Sequence, residues 1–261
     1  MKNINILICL LFTIVLSNRM YSQEEGSAYK SKLLFKASYG LNIPFNNMHL
    51  NRETDYLIEY NERTQIIPSI SALFFIKKHW GVELNLKFPT LKEKGKAEES
   101  FKNFANNKYN ENYFVNASVP SYSMHDPLVT FGIAYRLETD KMYLFPKLAF
   151  GGTPIDIRRG EIQLKEKNTN NAYRVLYSGG AYETVFTVAP SISGGYKLTK
   201  RFWVDFSVTA SYFRPNFSFD KTFTNLYTNE VEREQIRYKK NMFDTYISLG
   251  VTYIAATKRN K

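Results

Sequence analysis

Three histidines, His49, His79 and His125, are the first residues in this chain that could do acid–base chemistry. His125 lies in "SMHDP", between Ser123 and Asp126. A hydroxyl, an imidazole and a carboxylate are the parts of a hydrolase or acyltransferase, in which the base takes the hydroxyl proton and the acid orients the base. On an extended segment, however, Asp126 turns to the face opposite Ser123 and His125, so the three do not meet unaided. His49 joins such a site only if a loop carries it there. His79 sits in a short turn beside Trp80 and reads as an interfacial residue. The only cysteine, Cys9, lies inside an apolar run near the N-terminus. The chain beyond it offers neither a disulfide nor the Cys/His spacing of a zinc site, and no cofactor is expected.

A second set of chemical groups interrupts otherwise apolar stretches: Lys36, Glu83, Lys87, Arg136, Lys147, Lys197, Asp205 and Asp244. Their role depends on where the backbone turns them. The segment "MFDTYISLGVTYIA" shows the rule. Phe243, Thr245, Ile247, Leu249, Val251 and Tyr253 share one parity, and Asp244, Tyr246, Ser248, Gly250 and Thr252 share the other. A strand sends alternate side chains to opposite faces, so one face is apolar and the other is polar and small. "LLFKASYGLNI", "QIIPSISALFFI", "WGVELNLKF", "LVTFGIAYRL", "MYLFPKLAF", "VFTVAPSISGGYKL" and "FWVDFSVTASYF" alternate in the same way. All eight charges fall on the polar parity. No sustained helical period follows the N-terminal run.

The connections between these eight segments alternate in length. "KKH", "ETDK" and "TKR" are short, whereas residues 44–63, 89–121, 153–182 and 214–240 are long. A meander with tight turns at one end and long loops at the other is an all-β, antiparallel up-and-down barrel of eight strands. "EIQLKEKNTNNAYRVLY", and "NFSFDKTFTN" with "EVEREQIRYKK", read as hairpins that prolong strands five and six and strands seven and eight. If either re-enters the sheet, the count becomes ten. Pro68, Pro146 and Pro190 each remove a ladder hydrogen bond, so bulges are expected there.

Three features turn the apolar face outward, toward lipid, rather than inward as in a soluble barrel. The polar faces hold charges that lipid would penalise but that can pair in a lumen. Aromatics gather at both strand ends: Trp80, Tyr135, Tyr143, Tyr196, Trp203 and Tyr253 at one, Phe88, Tyr122, Phe150, Tyr182, Tyr212 and Phe243 at the other. Strict parity sends Tyr143 and Trp203 inward. Most segments are about 9–12 residues long, the length of a tilted crossing. Residues 1–23, "MKNINILICLLFTIVLSNRMYSQ", have the layout of a secretory signal peptide, leaving 24–261 as the barrel domain.

The ending "YSQ" of that leader, the eight amphipathic segments and the final "SLGVTYI" resemble the Bacteroidetes-type outer-membrane β-barrel family, related to small eight-stranded barrels and PorT-like proteins. The tail "AATKRNK" departs from the pattern, since typical members end on an aromatic. The resemblance implies an outer-membrane location, outer-membrane lipid as surroundings, and the barrel-assembly machinery as a partner during insertion. It also implies a non-enzymatic role: surface binding, envelope structure, limited passage of small solutes, or membership of a secretion machine. The alternative class is a lipid-A-modifying enzyme, a deacylase or acyltransferase built around His125. With eight strands the interior is just wide enough for side chains, so the inward charges read as a structural network rather than a pore. "KEKGKAEES" reads as a solvated, mobile charge run. "NKYNENYF" and "FTNLYTNE" read as exposed loop, with an extracellular protein or glycan as the other use. The net charge of +11 reads as a basic solvated surface, and no nucleic-acid motif is present.

Overall fold

The computed structural model describes residues 32–45, 57–59, 65–89, 96–119, 127–169, 171–179 and 183–255. Residues 1–23, read from the sequence as a signal peptide, and Cys9 with them, lie outside the described residues. Eight strands close a cylinder: β1 (Lys32–Pro44), β3 (Gln65–Phe75), β4 (Trp80–Lys87), β6 (Leu128–Tyr135), β8 (Met142–Ile157), β11 (Glu183–Lys197), β12 (Phe202–Phe213) and β15 (Met242–Ala255). Each pairs antiparallel with its sequence neighbour in the barrel. Closure is the pairing of β1 with β15, where Phe35 faces Tyr253 and Leu41 faces Ile247. The two-residue strands β2 (Ile58–Glu59) and β7 (Leu137–Glu138) attach to β8. Tight turns join β3 to β4, β6 to β8 through β7, and β11 to β12. They are held by bonds such as Ile76 N–H to Trp80 O at 3.0 Å and Thr139 N–H to Met142 O at 2.8 Å.

The expected bulges at proline are absent. Pro68 faces Tyr39 and Pro146 faces Ile192 with no slip of register on either side. The missing donor is absorbed where a ladder ends or has a gap. Pro68 lies just beyond the last β3–β4 pair, and its carbonyl accepts from Phe88 N–H at 2.9 Å. Pro190 lies in a two-residue gap of the β11–β12 ladder.

Parity decides the two faces. Outward positions of the barrel strands, from Leu33 to Tyr253, hold no Glu, Lys or Arg, and one Asp, Asp156, near the cap end of β8 beyond Phe150. Leu249 is 65 % exposed on that face, while Asp205 on the other is 2 % exposed. A closed cylinder satisfies every strand's backbone without an edge, and an uncharged apolar exterior suits hydrocarbon. This is the architecture of an outer-membrane β-barrel. Trp80, Tyr196 and Tyr253 point outward near the tight turns, as do Phe150, Tyr212 and Phe243 at the opposite end. Tyr143 and Trp203 are buried inside, as parity requires. Tyr122 and Tyr182 lie outside the described residues.

Neither hairpin re-enters the barrel. β9 (Gly160–Glu166), β10 (Ala172–Gly179), β13 (Asn216–Asn225) and β14 (Val231–Lys239) join β5 (Tyr113–Ser118) in a second sheet, ordered β14-β13-β10-β9-β5. The charge run read as mobile is a correction. Its residues 96–100 open the helix α1 (Lys96–Tyr109), with Glu98 and Glu99 in its first turn and Lys108 in its last, matching the helix dipole, and 92–95 lie outside the described residues. Phe101 and Ala105 are fully buried one turn apart, on the face that meets the sheet. A Cβ at Gly160 would lie 2.6 Å from Leu57 and 2.8 Å from Phe101, so glycine lets the helix approach this closely. The same core includes Ile155, Ile157, Phe213 and Met242 from the barrel strand ends. Helix and sheet thus form a cap seated on the long-connection end.

Candidate functional site

The lumen has three levels. Near the tight turns, Leu34, Leu73, Phe75, Tyr143, Phe145 and Trp203 form an apolar cluster. Their rings lie close: Tyr143–Phe145 and Tyr143–Trp203 centroids are 4.6 Å apart, and Phe75–Phe145 5.2 Å. The Arg136 guanidinium sits 4.8 Å from the Phe75 ring centre, and Lys197 Nζ 5.3 Å from that of Trp203. Such cation–π contacts favour a desolvated cation. Both cations also meet Glu138, Arg136 at 3.6 Å and Lys197 at 2.7 Å.

The middle level is polar. Lys36 forms an ion pair with Asp205 and donates to Ser207 Oγ at 3.0 Å. The Tyr143 hydroxyl donates to the same Asp205. Lys147 pairs with Glu83 at 2.6 Å. Lys87 Nζ lies 4.4 Å from the Tyr246 ring centre, with Asp244 and Glu83 as the carboxylates acting on it. The Tyr246 hydroxyl donates to Ile67 O at 2.8 Å. All eight expected charges therefore face the lumen, but in two groups, and the partner of Arg136 and Lys197 is Glu138. Parity carried one step past the end of β6 identifies Glu138, since it is two residues from Arg136.

These contacts skip a strand. Tyr143 on β8 reaches Asp205 on β12 across β11, where Gly195 is the register partner of both. A Cβ there would sit 2.7 Å from the Tyr143 hydroxyl oxygen. Tyr246 on β15 reaches β3 across β1 at Gly40, where a Cβ would lie 2.5 Å from the ring. Inward glycines thus open the lanes along which long side chains cross. The space left among the middle side chains is about 30 Å3. That is room for a water or so.

The third level is the cap. Its outward sheet face carries an open groove of about 610 Å3. Phe114 and Leu226 rim it, coming from the two Asn/Tyr-rich segments that the sequence singled out. Arg174 donates to Glu161 at 3.0 Å and Gln163 Nε2 to the same carboxylate at 3.0 Å. Those bonds hold the Glu161 carboxyl below its usual range, Gln163 contributing most. His79 is at the opposite end, its Nδ1 3.0 Å from Arg136 O and its ring stacked on Tyr135. His49, Ser123, His125 and Asp126 lie outside the described residues. Among the described residues no His/Cys/Asp/Glu cluster could hold a metal ion.

No protein-family model and no curated protein matches the chain. Among solved structures it is similar to Neisserial surface protein A, at 9% identity over 86% of this chain and 99% of that one, TM-score 0.42. A major outer membrane protein from Thermus thermophilus matches at 8% identity over 87% and 100%, TM-score 0.44. The attachment invasion locus protein of Yersinia pestis matches at 10% identity over 87% and 100%, TM-score 0.36. The barrel stands on its own strand register.

Proposed function

We propose that this protein is a non-conducting outer-membrane barrel whose cap acts outside the cell, binding an extracellular protein or glycan or serving as the membrane component of a secretion machine, as the resemblance to PorT-like proteins implies. Long connections of such barrels face outward and tight turns face the periplasm. The observation that supports the reading is the side-chain filling among the described residues: an aromatic plug, crossed ion pairs around a 30 Å3 void, and the cap core above. What remains for function is the ordered outer surface, where the cap sheet carries the groove beside Phe114.

A photoreactive residue at Phe114 in intact cells tests this, with one at the lipid-facing Leu249 as control. A discrete adduct specific to position 114 is expected, and none would count against a binding cap. Planar bilayers should show no stepwise currents. A lipid-A mass change that vanishes on His125→Ala would overturn the non-enzymatic reading.

A further inference from the structure

The barrel exterior is uncharged up to Tyr212 on β12 and Phe243 on β15, whose rings lie 4.8 Å apart on neighbouring strands. The parity that turns these two outward continues into the cap. Beyond Tyr212 the next outward residue is Arg214. Beyond Phe243 come Asn241, Lys239 and Arg237. Arg214, Lys239 and Arg237 are all exposed, and Lys240 beside them is half-buried. The Tyr212 hydroxyl donates to Asn241 Oδ1 at 3.1 Å, which ties the ring to the base of this column. Arg237 Nε donates to Asn216 Oδ1 at 3.0 Å, holding the guanidinium against β13.

Charge on β14 sorts by face. Glu232 and Glu234 share the parity of buried Tyr238, whereas Arg233, Arg237 and Lys239 share the outward parity. Across the ladder, Asp220 is the acid on the outward side, opposite Gln235. The first charges above the hydrocarbon band on these two strands are therefore all basic, and they climb the outside of the cylinder. That height is where head groups lie, immediately above an interfacial aromatic pair.

We propose that Arg214, Arg237 and Lys239 form a docking surface for the phosphate groups of an anionic glycolipid in the leaflet around the cap. The assignment rests on the outward cap proposed above. Cations near an anionic leaflet are each attracted to it, and arginine grips phosphate with two parallel donors. The lipid is held against the β12–β15 side, with its acyl chains along Tyr212 and Phe243.

The test uses the full-length barrel in nanodiscs with bisphosphorylated lipid A, with dephosphorylated lipid A, or with zwitterionic lipid alone, read by native mass spectrometry. The wild type should retain the bisphosphorylated glycolipid and release the dephosphorylated form. Arg214→Gln/Arg237→Gln/Lys239→Gln should weaken retention by about a hundredfold, from three cations at a charged surface. Lys77→Gln/Lys78→Gln, which removes charge from the tight-turn rim, should change nothing. Equal retention by the triple variant, or displacement by millimolar inorganic phosphate, would overturn the lipid assignment while leaving the barrel and its cap intact. Failure to insert into every bilayer would overturn both.

Discussion

Asp205 is approached from both sides of its strand, by Lys36 from β1 and by the Tyr143 hydroxyl from β8. A carboxylate 2 % exposed persists inside a barrel only because these groups replace its water. Asp205→Asn keeps the shape and strands the Lys36 cation. The expected cost is about 3–5 kcal/mol, as for other broken buried pairs. Urea unfolding in micelles would measure it. Lys36→Met/Asp205→Leu should recover much of the loss, because removing both charges removes the need for either. Equal instability of the single and double variants would show that the two groups are not coupled. Glycine sets the second residue-scale constraint. Gly40→Ala places a methyl 2.5 Å from the Tyr246 ring and 2.6 Å from Ile247 O. It should cost about 1–3 kcal/mol through overpacking, measured in the same way. The inward parity of every lumen charge could be read from the sequence. Which charge meets which could not, because partners lie two strands apart and depend on the stagger of the closed barrel.

The cap is where elements matter. Helix α1 was not read from the sequence: Phe101, Phe104, Ala105 and Tyr109 recur at helical spacing directly after the charge run, but over too few turns, among Asn and Lys, to stand out as a sustained period. Strand β5 was hidden because its partner, β9, lies more than forty residues away in the chain. The two hairpins were legible because each turn is flanked by its own alternating strands. Docking of α1 rests on Phe101, and Phe101→Ala should cost about 3–5 kcal/mol locally. Limited proteolysis should then cut the cap while the barrel stays resistant. Alkali gives a second test. Burial, chiefly, together with Tyr109 and Glu234, pushes the Tyr177 phenol far above its usual value. A raised folded value means stability fully present below about pH 10 and lost as pH rises beyond it. Lys108 acts in the opposite sense. Burial and Lys221 lower its ammonium, so its cost is relieved as pH approaches 10.5. The fully buried phenol should dominate, so the cap opens above about pH 10 while the barrel persists. Tyr177→Phe should move that opening to higher pH, read by protease sensitivity. An unchanged midpoint would assign the transition to another group.

For the whole molecule, every claim depends on which solvent bathes the outer wall. The same alternation folded inside out would give a soluble barrel with Leu249 at its core. Instead Leu249 lies on the outside of β15, between Tyr39 on β1 and Phe206 on β12, and all three are exposed. In water this wall would be a vast apolar patch, far beyond what a soluble monomer shows. In a bilayer it is the stabilising surface, and a charge there is penalised by depth. Leu249→Arg should therefore destabilise the inserted barrel by about 2–4 kcal/mol if the position is near mid-plane. The same substitution at Tyr253, near the tight-turn girdle, should cost about 1 kcal/mol or less. Folding into vesicles of fixed thickness, followed by the heat-induced gel shift of the folded form, would compare the two. The gradient discriminates, because a soluble barrel with an exposed wall would tolerate arginine equally at both positions, and lipid would not.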